Sequence, residues 1–188
     1  MEKIQIDPQG AFLYPMPMVL VGSVVEGKAN IMAVGWTARV NFKPPLLAIS
    51  LGPHHTNRGI EANGEFSINI PDVSLVEKTD FCGLVSGAKA DKASLFTLFY
   101  GALDKAPLIG ECPVCMACTL HQTVSLPTNR LYIGEPREVW TEERYLTEQK
   151  LDIGKIHPFT LTMPDNRYWA VGGCLGSAWS AGKALKKK

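Results

Sequence analysis

The residues able to do chemistry in this chain gather in one stretch. Asn30, Trp36, Thr37, Ser50, His54, His55, Thr56 and Asn57 fall around two neighbouring strand ends and the start of a short helix. Thr56 and Asn57 suit a helix N-terminus, where unpaired N–H groups and the macrodipole favour a phosphate. Ser50 adds a hydroxyl donor, and the Trp36 indole offers a flat apolar surface to a heteroaromatic ring. Taken singly, each signal also fits a plainer role, with Trp36 in the core and Thr56 a simple N-cap.

A second group is the run Cys112, Cys115, Cys118, spaced like part of an iron–sulfur motif. A fourth ligand would have to come from Cys82 or Cys174. The run enters a strand, where alternation would put Cys112 and Cys118 on one face and Cys115 on the other. Thiolates so divided do not converge on one ion, so buried thiols in a barrel wall are expected and no metal ligand is assigned. The histidines, His54, His55, His121 and His157, form no Ser–His–Asp or H-E-x-x-H arrangement. No catalytic side chain is assigned.

The elements that must position these residues follow from punctuation and period. Residues 18–25 form a β-branched apolar run, and Glu26-Gly27-Lys28 makes a hairpin turn. Residues 30–42 read as one strand bent at Gly35, broken by Pro44-Pro45. Residues 46–51 are a short buried strand, 56–63 a short helix stopped by Gly64, and 65–70 an alternating, half-buried strand. A helix is expected from Pro71-Asp72 to about Phe81, a loop over 86–94, and a long antiparallel pair over 114–126 and 131–141. The last forty residues show weak periodicity, with short strands or turns near Leu151 and Tyr168. Short strands outnumber helices, which favours an antiparallel barrel over a doubly wound sheet. Neither G-x-G-x-x-G nor G-x-x-x-x-G-K-[ST] occurs, so a Rossmann or P-loop nucleotide site is not expected.

The composition bounds the class. The chain has 188 residues, 46% hydrophobic and 20% charged, with a formal net charge of +1. One domain over residues 1–188 is expected, long enough to bury roughly 70% of its unfolded surface. Near-neutral charge argues against general nucleic-acid affinity, and the lysines at 183 and 186–188 read as a frayed tail. No run approaches the ~18 apolar residues of a membrane span. The polar N-terminus lacks signal-peptide order, and five cysteines suit reduced thiols; a cytoplasmic location is the expectation.

The central stretch resembles the flavin-reductase-like family of FMN-binding split barrels, most closely its flavoredoxin branch. The residues that carry the resemblance are Asn30 in A-N-I-M, Trp36 in G-W-T, the Pro44-Pro45-Leu46 break, Ser50 and H-T-N-R-G-I from His55. They continue with G-E-F-S-I-N-I-P from Gly64 and with Ser86-Gly87 ahead of Asp91-Lys92. The resemblance covers roughly residues 15–176 and implies a mainly β fold, an antiparallel Greek-key split barrel with a few peripheral helices. It implies a homodimer that holds FMN near the subunit interface. Asn30 and Trp36 would lie along the ring and ribityl chain, Thr56 and Lys92 would serve the phosphate, and Thr37 and His55 are further candidates for the cofactor site. Backbone groups of Ile31, Met32, Ala33, Ser50 and Leu51 would meet the ring edge or ribityl oxygens, and Tyr168 is the late aromatic expected near the flavin. Where the family carries a histidine-bearing turn in the long hairpin, this chain has Pro127-Thr128-Asn129-Arg130. The implied activity is an oxidoreductase taking electrons from NAD(P)H. The alternatives are an electron carrier fed by a redox protein such as ferredoxin, and a metal protein built on the cysteine run.

Overall fold

The computed structural model describes residues 2–186. Met16–Pro17 (β1) leads into Val19–Val25 (β2), an apolar run buried along nearly its whole length. Glu26 and Gly27 take φ of 51° and 79°, the positive values that a tight two-residue hairpin needs. Lys28–Val34 (β3) then returns antiparallel to β2. Thr37–Asn41 (β4) and Leu46–Leu51 (β5) follow, then a helix over His55–Asn63 (α1) that ends at Gly64 with φ 65°. Glu65–Ile70 (β6) precedes a short 3-10 turn and Val76–Leu84 (α2). Leu98–Phe99 (β7) and Leu108–Ile109 (β8) are a small pair beside the long hairpin Val114–Ser125 (β9) and Arg130–Thr141 (β10). Leu146–Thr147 (β11), Lys150–Leu151 (β12), Ile153–Ile156 (α3), Phe159–Thr162 (β13) and Arg167–Ala170 (β14) complete the order.

The main sheet runs β3-β2-β6-β9-β10-β5-β4, and a second sheet runs β1-β13-β14. Every pairing in both is antiparallel. The mainly β, antiparallel split barrel with peripheral helices that the sequence implied is the fold observed. The single strand expected over residues 30–42 is instead two strands, β3 and β4, at opposite edges of the main sheet. Only Gly35 and Trp36 lie between them, and a chain spans at most about 3.6 Å per residue. The two edges must therefore meet, and the sheet curls into a barrel. At the seam the Ser50 N–H of β5 donates to the Trp36 carbonyl at 2.9 Å. A two-state alternation of polar and apolar residues cannot distinguish a bend from such a crossing. The second helix is also displaced: the 3-10 turn Val73–Leu75 takes its first residues, and α2 extends to Leu84.

Two layers of core sit on the two faces of the sheet. Val19, Val21, Ile49, Phe66, Ile68 and Tyr132 fill the barrel interior. Leu20, Ile31, Leu108 and Ile109 pack the opposite face, under α2 and the β7–β8 segment. Burial on both faces explains why β2 reads as a continuous apolar run rather than an alternating one. The cysteines divide differently from the alternation expected. Cys112 and Cys115 share the outer layer while Cys118 points into the barrel. Cys112 lies before β9 in a turn, its N–H on the Ile109 carbonyl at 3.0 Å, so strand alternation does not reach it. Among the described residues no three His, Cys, Asp or Glu side chains come close enough to hold a metal ion, and no helix is long and apolar enough to cross a membrane.

α1 is seated directly on β2. A Cβ on Gly59 would stand 2.3 Å from Ser23 Oγ and 2.5 Å from the Val24 carbonyl oxygen, which also accepts from Asn63 Nδ2 at 2.7 Å. Gly59→Ala is expected to destabilise the fold by about 1–3 kcal/mol through overpacking, read from the urea midpoint. An unchanged midpoint would show that α1 can lift without cost.

Candidate functional site

The seam where the barrel closes opens into a cleft of about 560 Å³. The end of β3 supplies Met32 and Ala33, the crossing supplies Trp36, and the end of β5 supplies Ser50 and Leu51. The start of α1 forms one end, with His54, His55 and Thr56. The last turn of α2, the Ser86-Gly87 loop and Lys92 close the far side, and Leu161 and Met163 come from β13 and the turn after it.

One end is built for an anion. His54 is the N-cap of α1 but makes no side-chain cap bond, so the first-turn N–H groups lack a side-chain acceptor. Thr56, the second residue of the helix, is buried, and its Oγ1 accepts from Asn30 Nδ2 at 2.6 Å. Asn57 is turned away, donating through Nδ2 to the Gly52 carbonyl at 2.8 Å. Lys92 is only 3% exposed and has no carboxylate partner among the described ion pairs. Its Nζ donates to the carbonyls of Cys82 at 2.9 Å and Val85 at 3.0 Å. Those carbonyls belong to the C-terminal end of α2, where a cation offsets the helix dipole. An ammonium has three protons, so one is left for a ligand. Burial draws the Lys92 pKa below the usual lysine value. Burial, and then the Lys92 charge, lower that of His54.

The other end is flat and apolar. Trp36 is 47% exposed, so its indole is a wall rather than core. Cys82 borders the cleft as a neutral thiol, its pKa pushed up to about 11 by burial. Ser50 Oγ accepts from Asn129 Nδ2 at 3.3 Å, which brings the tip of the long hairpin to the cleft. The Ser86-Gly87 loop lies against Asn30 so closely that a Cβ on Gly87 would stand 1.8 Å from Asn30 Oδ1.

Met32, Ala33, Trp36, Ser50, Leu51, His55, Thr56 and Lys92 are thus brought together. Asn30 stands directly behind Thr56. The Ile31 side chain is fully buried in the outer core layer, which leaves only its backbone to face a ligand. Thr37 lies beyond Trp36, lining a separate apolar trough. Tyr168 stands outside the cleft: its hydroxyl donates to Asp80 Oδ1 at 2.8 Å, and its ring meets Phe159 edge-on at 5.5 Å. Its cross-strand partner Leu161 reaches the cleft instead. Asn129, Leu161 and Met163 escaped the sequence reading. Asn129 occupies the turn where the family carries histidine, which was a usable signal; the weak periodicity of the last forty residues gave none for the other two.

An antiparallel barrel split along one seam, with an anion end and a flat apolar end, defines a cofactor-binding protein. Residues 11–168 match the sequence profile described as "Flavin reductase like domain", and the chain belongs to that family. It is 49% identical to the flavoredoxin of Methanosarcina acetivorans, over 98% of this chain and 100% of that one, with a TM-score of 0.96. It is 35% identical to the flavoredoxin of Desulfovibrio vulgaris (Miyazaki F), over 97% of this chain and 100% of that one, with a TM-score of 0.88. A protein of Archaeoglobus fulgidus is 32% identical over 127 residues, 66% of this chain and 71% of that protein.

The residues fit FMN, the cofactor this family implies. A buried lysine with a proton to spare, the Thr56 hydroxyl and an uncapped helix start suit its phosphate. A cleft of about 560 Å³ lies within the ordinary range for small-ligand sites. Gly87→Ala must push the loop off Asn30, so FMN affinity is expected to fall at least tenfold with the far-UV circular dichroism unchanged. Undiminished affinity would separate the loop from the site.

Proposed function

We propose that this chain is an FMN flavoprotein oxidoreductase of the flavin-reductase type, working as a homodimer of a single domain over residues 1–188. The observation that carries the reading is Lys92: a buried ammonium, unpaired with any described carboxylate, beside the uncapped start of α1. Bound FMN supplies the redox chemistry, exchanging a hydride or single electrons at its ring. Thr56, Lys92 and the α1 N–H groups hold the phosphate, and Asn30 fixes the Thr56 hydroxyl. Trp36, Met32 and Leu161 give the ring apolar walls and exclude water. Among the described residues the cleft lining holds no carboxylate side chain, its titratable groups being His54, His55, Cys82 and Lys92, and hydride transfer to the bound cofactor requires no protein acid or base. This supports a donor that delivers electrons directly to the cofactor, with NADH or NADPH as the first choice.

A second reading makes the chain an electron carrier without a nicotinamide site, served by a redox protein such as ferredoxin. The likeness to two flavoredoxins favours it. An absorbance spectrum under anaerobic NADH and then NADPH separates the two. Bands near about 375 and 450 nm, as the cofactor's own chromophore gives, that bleach on addition are the expected result for a reductase. Persisting bands that bleach with reduced ferredoxin would select the carrier, and a colourless protein that takes up no FMN would overturn both.

A further inference from the structure

The chain exposes 12150 Å², whereas a compact monomer of 20.5 kDa exposes about 8,900 Å² by the usual scaling with mass. The excess of about 3,000 Å² per chain exceeds the roughly 800 Å² per partner of a standard interface and is as large as the share each partner buries in the biggest obligate homodimers. Two places stand out. After β14, every described residue of 171–186 is exposed. Leu175, Trp179 and Leu185 have nothing beneath them, and Trp179 is 96% exposed. The hydrogen bonds that shape residues 174–186 are local, as from Ala181 N to the Ser177 carbonyl at 3.0 Å and from Lys186 N to the Lys183 carbonyl at 3.1 Å. The segment is thus turned on itself and held off its own barrel.

The second place is a trough of about 590 Å³ between residues 11–17 and β4, floored by Trp36, Val40 and Leu131. Among the described residues its lining carries no charge, and its side-chain hydroxyls are Thr37 and Ser50. That chemistry suits an indole, which is apolar over its face and has one N–H to donate. The trough shares Gly35, Trp36 and Ser50 with the flavin cleft.

We propose that residues 171–186 cross to a second copy of this chain and seat the partner's Trp179 in the trough behind Trp36. The segment leaves from β14, the edge of its sheet farthest from β1, whose Met16 and Pro17 wall the trough of its own subunit. A two-fold exchange fills both troughs at once and closes the assembly. The partner's segment then backs the Trp36 wall, so the flavin site is incomplete in an isolated chain. The proposal gives the dimer of the preceding reading its physical means, and the cofactor enters only as a readout.

Three variants of the full chain test it. Light scattering of the full chain is expected to give a dimer. Trp179→Ala, and separately deletion of residues 173–188, should give folded monomers whose FMN affinity falls about tenfold. Cys174 is the one exposed cysteine among the described residues, and Leu13→Cys adds a thiol on the trough. A bifunctional maleimide should then join two chains in one product. A monomeric full chain, a truncated chain that stays dimeric, a cross-link within one chain or no cross-link would each overturn the exchange. A yellow monomer would leave the flavoprotein reading standing, whereas a colourless dimer that passes the cross-link test would overturn only the cofactor.

Discussion

The structure depends on a crossing of two residues. Gly35 and Trp36 carry the chain from one edge of a seven-stranded sheet to the other, and chain reach alone then forces the sheet to close on itself. A Cβ on Gly35 would meet Leu161 Cδ2 at 3.4 Å and Met18 Sδ at 3.5 Å, so the β1-β13-β14 sheet is pressed against the crossing. The ends of β3 and β5, the residues able to line a ligand, arrive at this seam because of that geometry. The cleft is where the barrel closes without a full ladder.

The second dependence is electrostatic. Taking an ammonium out of water costs several kcal/mol unless its protons are satisfied. Two carbonyls at the end of α2 satisfy two of the three protons of Lys92, and in the proposed function the cofactor's phosphate at the start of α1 satisfies the third. One side chain therefore meets the end of α2 and, in the proposed function, holds the phosphate. The Tyr168–Asp80 bond holds the β13–β14 wall against the same helix, and burial pushes the Tyr168 pKa up to about 12, which keeps it a donor. On the opposite wall, Tyr132 and Arg130 of β10 both meet Glu61 of α1, so the helix that presents the N–H groups is braced from behind. Cys115 and Cys118, with pKa values pushed up to about 12 by burial, are packing groups rather than reactive thiols.

Much of this was legible in the sequence because it is local. The helix at 55–63 announces its end with Gly64 and the hairpin at 26–27 its turn, whereas the alternation of 65–70 marks a strand but not its burial, since Ser67 and Asn69 are as buried as Phe66 and Ile68. The grouping of Asn30, Trp36, Ser50 and Thr56 follows from strand ends and one helix start. What was hidden is what depends on closure. No periodicity tells that residues 30–42 change edges at Gly35, or that Cys112 sits in a turn outside the strand register. Tyr168 was expected by the cofactor from the resemblance, whereas its ring packs on Phe159 and its hydroxyl bonds Asp80, and Leu161, its cross-strand partner on the same face, lines the cleft. Asn129 and Lys92 reach the cleft from turns far apart in sequence, and only the folded chain shows that Lys92 arrives without a carboxylate.

The most direct measurement compares the dissociation constants of FMN and riboflavin, which differ only in the phosphate, for the natural protein and for Lys92→Ala. A charge-assisted contact to a buried group contributes about 1.5–3 kcal/mol. FMN should therefore bind at least about tenfold more tightly than riboflavin, and Lys92→Ala should remove most of that advantage while leaving riboflavin affinity nearly unchanged. Equal affinities for the two flavins in the natural protein, or a phosphate advantage that survives Lys92→Ala, would contradict the role given to Lys92 and to the start of α1.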